Sequence, residues 1–81
     1  MPAIQTASAA REYLRDFYYS RYTERDCPTG IYAMVSRGPF RFAVKWPGGA
    51  VSIVQVGPRG GLFTNAYITA DDWSYLQEVM S

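Results

Sequence analysis

Phe40-Arg41-Phe42-Ala43-Val44-Lys45-Trp46 is the stretch whose reading decides the fold. Phe40, Phe42, Val44 and Trp46 alternate with Arg41, Ala43 and Lys45, the period-two pattern of a strand with one buried face. Burying four large apolar side chains contributes roughly 6–12 kcal/mol, at about 1.5–3 kcal/mol each, before the entropic cost of ordering them. The strand is punctuated on both sides, by Arg37-Gly38-Pro39 before it and Pro47-Gly48-Gly49 after it. Two further apolar runs lie beyond these breaks, at 31–36 and 50–56. Connections this short favour hairpins over parallel crossovers, so residues 31–56 read as a three-stranded antiparallel meander.

In the third run Val51 and Ile53 point one way and Val54 and Val56 the other, so both faces of that strand are apolar. Either a further element covers the second face, which is the more ordinary outcome, or that face binds a partner. Gly57-Pro58-Arg59-Gly60-Gly61 reads as a loop, and residues 62–68 as a candidate fourth short strand.

A helix is expected on each side of the meander. From about residue 7 to 22, Ala10, Tyr13, Leu14 and Phe17 recur at i, i+3, i+4 and i+7, with Tyr18 at the edge of the stripe and Arg21 marking the end of the segment. Glu12, Arg15, Asp16 and Tyr19 project away from this face. Cys27-Pro28-Thr29-Gly30 is a turn signal. Near the C-terminus, Thr69 followed by Asp72 matches a capping box, and Trp73, Leu76 and Met80 recur at i, i+3 and i+7. The predicted fold is thus α+β: one domain over 1–81, a helix, a meander of three or four antiparallel strands, and a C-terminal helix. The simplest arrangement places both helices on one face of the sheet, with Leu14, Phe17, Phe42, Val44, Trp73 and Leu76 in one core.

Composition narrows the chemistry. The 81 residues contain no histidine and one cysteine, Cys27. That removes the Ser-His-Asp and Cys-His nucleophile arrangements, an intrachain disulfide and any cysteine-histidine zinc site, and no cofactor is expected. Cys27 sits between Asp26 and Pro28 without an imidazole base and reads as a turn or packing residue. Glu12 and Asp16 are one helical turn apart beside Arg11 and Arg15, as on a solvated, charge-balanced face. Asp71 and Asp72 are adjacent and suit the positive end of a helix dipole. The residues before Arg11 have neither the basic start nor the apolar core of a signal peptide, and no run is long enough to span a bilayer, so a cytoplasmic protein without membrane contact is expected.

Net charge is only +1, but it is unevenly placed: residues 27–70 carry Arg37, Arg41, Lys45 and Arg59 and no acid. Gly57-Pro58-Arg59-Gly60 matches the letters of the GXXG loop of KH domains, but follows a strand instead of joining helices. It also lacks the lysine and Ser/Thr of a P-loop. The α-β-β-β-α order resembles that of double-stranded RNA-binding domains, and Gly38-Pro39-Phe40 is similar to the start of their second strand. Their lysine-rich motif at the last helix is replaced here by Ile68-Thr69-Ala70-Asp71-Asp72, which repels phosphate. The order also resembles that of SH2 domains, whose phosphotyrosine-binding arginine lies within the first central strand, whereas Arg37 follows it.

These exclusions leave a surface argument. Tyr19 and Tyr75 project from their helices, Tyr22 flanks the first, and Arg41 and Lys45 share the outward face of the central strand. Tyr and Arg are enriched at protein–protein hot spots. The expected function is a non-enzymatic protein-binding regulator or inhibitor, monomeric or homodimeric, with Tyr19, Tyr22, Arg37, Arg41, Lys45, Arg59 and Tyr75 as partner-binding residues. In size, single-domain form and lack of catalytic residues the chain is similar in character to phage-encoded inhibitors such as anti-CRISPR proteins. The alternative is a nucleic-acid-binding module using the acid-free segment, with Trp46 or Phe63 stacking on bases. A sequence pI near 7.9 is low for that class.

Overall fold

A computed structural model of the chain describes residues 3–34, 40–64 and 68–80. The elements run α1 (Ala7–Arg21), β1 (Gly30–Ala33), β2 (Phe40–Lys45), β3 (Val51–Val56), β4 (Leu62–Thr64) and α2 (Ala70–Met80). The four strands form one antiparallel sheet in the order β1-β2-β3-β4. The expected α+β fold is therefore present, and the candidate fourth strand is real over Leu62–Thr64. Met34 and Ile68, expected within the first and fourth strands, lie outside β1 and β4, and residues 35–36 and 65–67 lie outside the described residues.

The strand pairing sorts side chains onto two faces, because directly opposed residues in an antiparallel pair share a face. Phe42 opposes Ala33 on one side and Val54 on the other, and Ala43 opposes Tyr32 and Ile53. One face therefore carries Ile31, Phe42, Val44, Val54 and Val56. It buries them under Ala10, Leu14 and Tyr18 of α1, with Tyr13, Phe17, Phe40, Trp46 and Leu62 packed around the margin.

The opposite face carries Ala43 and Ile53, which bury against Ile68 and Leu76 with Tyr32, Met34, Tyr75 and Met80 around them. The helices thus cover opposite faces of the sheet, and the expectation of one shared core is corrected to two. The reason lies in β3: with Val54 and Val56 on one side and Ile53 on the other, each face needs its own cover. Leu14, Phe42 and Val44 belong to the first core and Leu76 to the second. Trp73 is 48% exposed and belongs to neither buried set. Its expected place is taken by Asp72, which is fully buried, so the inward stripe of α2 runs through 72, 76 and 80.

Both helices begin as their sequences dictate. Thr6 Oγ1 accepts the Ala9 N–H at 3.1 Å, satisfying one orphan donor of α1. At α2 the Thr69 hydroxyl accepts the Asp72 N–H at 3.2 Å, and the Asp72 carboxylate accepts the Thr69 N–H at 3.4 Å, which completes the capping box. Helix α1 ends at Arg21, whose guanidinium lies 3.8 Å from the centre of the Phe17 ring.

The glycine-rich loop is a strand connection. Gly57 donates to the Gly61 carbonyl at 2.7 Å and Gly60 to the Gly57 carbonyl at 3.0 Å, closing the turn between β3 and β4. Gly60 has φ of +88°, a backbone conformation that favours glycine. Its carbonyl accepts the Tyr13 hydroxyl at 2.9 Å, and the Pro58 carbonyl accepts the Ile4 N–H at 2.8 Å. This turn is thereby tied to α1 and to the segment before it.

Candidate partner-binding surface

The side of α1 that borders β1 carries an exposed groove. Arg11, Arg15 and Tyr19 recur at i, i+4 and i+8 and so lie along one side of the helix. Among the described residues β1 pairs only with β2, so the other edge of β1 runs beside them. Arg11 Nε donates to the Ile31 carbonyl of that edge at 3.1 Å. Helix and strand edge are thus linked across the groove floor.

Three adjoining clefts make up the groove. The middle one, about 150 Å³, is lined by Arg11, Arg15, Tyr19 and the 28–31 segment entering β1. One end continues into a cleft of about 180 Å³ that shares Arg11 and Arg15 and adds Ser8 and Glu12. The other end continues into a cleft of about 370 Å³ that shares Tyr19 and Pro28 and adds Tyr22, Glu24 and Cys27.

Tyr19 is 52% exposed and Tyr22 45% exposed, both at this wide end. Tyr22 is held from beneath. The Tyr22 ring meets Trp46 edge-on at 5.3 Å, Trp46 meets Tyr18 at 5.0 Å, and Trp46 Nε1 donates to Ser52 Oγ at 3.1 Å. Burial pushes the Tyr18 phenol above its ordinary pKa, and the neighbouring Tyr22 adds to the shift. The Arg15 guanidinium lies 5.4 Å from the centre of the Tyr19 ring.

The loop closing the wide end is a compact turn. Asp26 and Cys27 donate their N–H groups to the Thr23 carbonyl at 2.9 and 3.0 Å, and Thr23 Oγ1 donates to Asp26 Oδ2 at 3.1 Å. The Cys27 thiol, half-buried, donates to the Tyr22 carbonyl at 3.6 Å. Among the described residues no three His, Cys, Asp or Glu side chains come together as a metal site. No helix there is long and apolar enough to cross a membrane. The groove offers aromatic surface, two guanidiniums and a strand edge.

The structure distributes the predicted binding residues unevenly. Tyr19 and Tyr22 come together in the groove. Arg41 and Lys45 share a face of β2 as expected, but that face is the one α2 covers, and both are half-buried rather than outward. Arg41 Nε donates to Gln55 Oε1 at 3.2 Å. Tyr75, expected to project, packs against the second core because it adjoins Leu76 on the sheet side of α2. Arg59 is exposed in the β3–β4 turn, and Arg37 lies outside the described residues. Arg11, Arg15 and Pro28 were not singled out by the sequence as binding residues, although the i, i+4, i+8 spacing of Arg11, Arg15 and Tyr19 carried the signal. No protein-family model, curated protein or solved structure matches the chain.

Proposed function

We propose that this protein acts as a non-enzymatic regulator or inhibitor that binds a protein partner through the α1–β1 groove. The observation that carries the reading is the pair Tyr19 and Tyr22, both exposed in the wide cleft of the groove, Tyr22 braced by Tyr18 and Trp46 and Tyr19 set against Arg15. Exposed aromatic rings held in place combine large contact area with a small loss of rotamer freedom on binding, which is how hot-spot residues work. The test is affinity capture of a partner from the native host, with and without nuclease, using wild type and Tyr19→Ala. Nuclease-resistant capture lost on Tyr19→Ala is expected; nuclease-sensitive capture indifferent to Tyr19 overturns the reading.

One observation favours a second reading. Phe63, 59% exposed, opposes Gln55, which opposes Arg41, so an exposed aromatic ring and a cation lie in one row across the sheet. That row suits base stacking beside a phosphate contact. Among the described residues the cations of the acid-free segment are spread out, however: Arg41 and Lys45 are four residues apart on β2, about 13 Å at 3.3 Å per residue, and Arg59 lies in the β3–β4 turn. Were all four cations to neutralise phosphates on duplex DNA, the logarithm of affinity would fall with that of salt at a slope of about −3.6. A shallower slope, or no duplex binding at physiological salt, separates the two readings.

A further inference from the structure

The middle of the groove has a charge pattern of its own. Arg11 and Arg15 face the central cleft one helical turn apart, and among the described residues neither lies within ion-pair distance of a carboxylate. Both are oriented. The bond from Arg11 Nε to the Ile31 carbonyl leaves the two terminal nitrogens of that guanidinium uncommitted, and the Tyr19 ring supports Arg15. The two acids of the groove, Glu12 and Glu24, line its opposite ends and not its centre.

Resting on the protein-binding reading above, we propose that this central cleft is a carboxylate site in which Arg11 and Arg15 receive one Asp or Glu side chain of the partner. The terminal nitrogens of a guanidinium held by its Nε present two parallel N–H donors, the geometry that matches the two oxygens of a carboxylate. Both arginines are exposed in the free protein, so their attraction for an anion strengthens as the partner closes over the cleft and excludes water. Glu12 and Glu24 then define the rest of the occupant. A nucleic-acid backbone or a polyacidic tract running along the groove meets a negative charge at each end, whereas a single acid flanked by uncharged or basic residues does not. The occupant is therefore a protein segment with an isolated acidic residue.

The experiment is a selection of linear peptides displayed on phage against the immobilised full chain, followed by fluorescence anisotropy with synthetic copies of the selected sequences. Selected peptides are expected to share one Asp or Glu. Its replacement by Gln or Asn should weaken binding about ten- to a hundred-fold, the range for losing a charge-assisted pair. Arg15→Gln and Arg11→Lys should weaken binding comparably, the latter because lysine keeps the charge and loses the fork. Arg25→Gln should leave it within about two-fold, since Arg25 lies outside the central cleft. The peptide-side substitution needs no protein variant, so the test stands even where an arginine variant is poorly folded. Four results overturn the site: no peptides recovered, binding indifferent to the acidic residue, full binding by Arg11→Lys, or a phosphoserine peptide bound ten-fold tighter than its Glu counterpart. Peptides that depend on Tyr19 but not on an acid overturn the carboxylate site and leave the protein-binding reading intact.

Discussion

Replacing Gly60 with alanine tests whether α1, and with it the groove, is held in place from the side away from β1. Gly60 has φ of +88°, and a Cβ built there meets the Tyr13 hydroxyl at 2.6 Å. Two costs follow. The backbone conformation costs an L-residue roughly 1–2 kcal/mol. The Tyr13 hydroxyl must also move, which breaks its 2.9 Å bond to the Gly60 carbonyl, and a lost hydrogen bond of this kind costs about 0.5–1.5 kcal/mol. The sum is about 2–3 kcal/mol, a large share of the roughly 4–12 kcal/mol expected for a domain of this length.

Thermal unfolding followed by circular dichroism reads the effect as a fall in Tm of roughly 10–20 °C. Tyr13→Phe alone keeps the ring and loses only the hydroxyl bond, so it should cost about 1 kcal/mol. In the double variant the hydroxyl contact is gone and the bond is already absent, while Cζ of the ring, 2.8 Å from the built Cβ, must still shift. The cost of Gly60→Ala should then shrink by about 1 kcal/mol, leaving the backbone strain and the displacement of the ring; that reduction is the coupling a double-mutant cycle isolates. Additive costs, or a Gly60→Ala variant as stable as wild type, would refute the proposed tie between α1 and the β3–β4 turn.

Other expectations follow from the two cores and the groove. Phe42→Ala should cost about 3–5 kcal/mol and Leu76→Ala about 2–5 kcal/mol in denaturant unfolding, whereas Trp73→Ala should cost well under either, because Trp73 lies off the buried stripe of α2. Cys27→Ser should leave partner binding within a few-fold in the capture assay, since the thiol's contact is the Tyr22 carbonyl and a hydroxyl can also donate there. In an alkaline titration followed by tyrosinate absorbance, Tyr18 should ionise above the ordinary tyrosine range. Its folded pKa is raised above the unfolded value, so the stability it contributes is full below about pH 10 and is lost as pH rises through the folded pKa. Tyr18→Phe should therefore flatten the alkaline fall in stability.

The strand 40–46 was legible because alternation directly reports which side chains turn inward. The apolar residues of β3 likewise showed two apolar faces, and left open whether an element of the chain or a partner covers the second. They did not show which helix supplies which cover, because a period of two carries no information about the direction a distant helix takes. On α2, hydrophobicity pointed to Trp73, but the capping box with Thr69 draws Asp72 inward, and four residues later Leu76 follows on the same stripe. Tyr75 shares the cost of that rotation and turns toward the sheet. On α1, Arg11 and Arg15 were read as partners of Glu12 and Asp16 because they are neighbours along the chain. Adjacent residues diverge by about 100° around a helix, so the arginines run down the side next to β1 while Glu12 and Asp16 turn further outward.

The groove's rigidity bears on how it would use its charges and its rings. Helix α1 is tied on one side through Arg11 to Ile31 and on the other through Tyr13 to Gly60, and Tyr22 rests on Trp46. A surface held this way gives up little conformational freedom on binding, so more of the contact energy remains as affinity. The rings and the cations then divide the work. On the proposed reading, Tyr19 and Tyr22 would supply contact area that must be pulled free of the partner on dissociation, whereas partly solvated arginines would act at longer range during approach. Salt therefore slows association more than it hastens dissociation. With one central carboxylate and acids at both ends, that slowing stays shallow, unlike the steep loss expected of a chain of phosphate contacts.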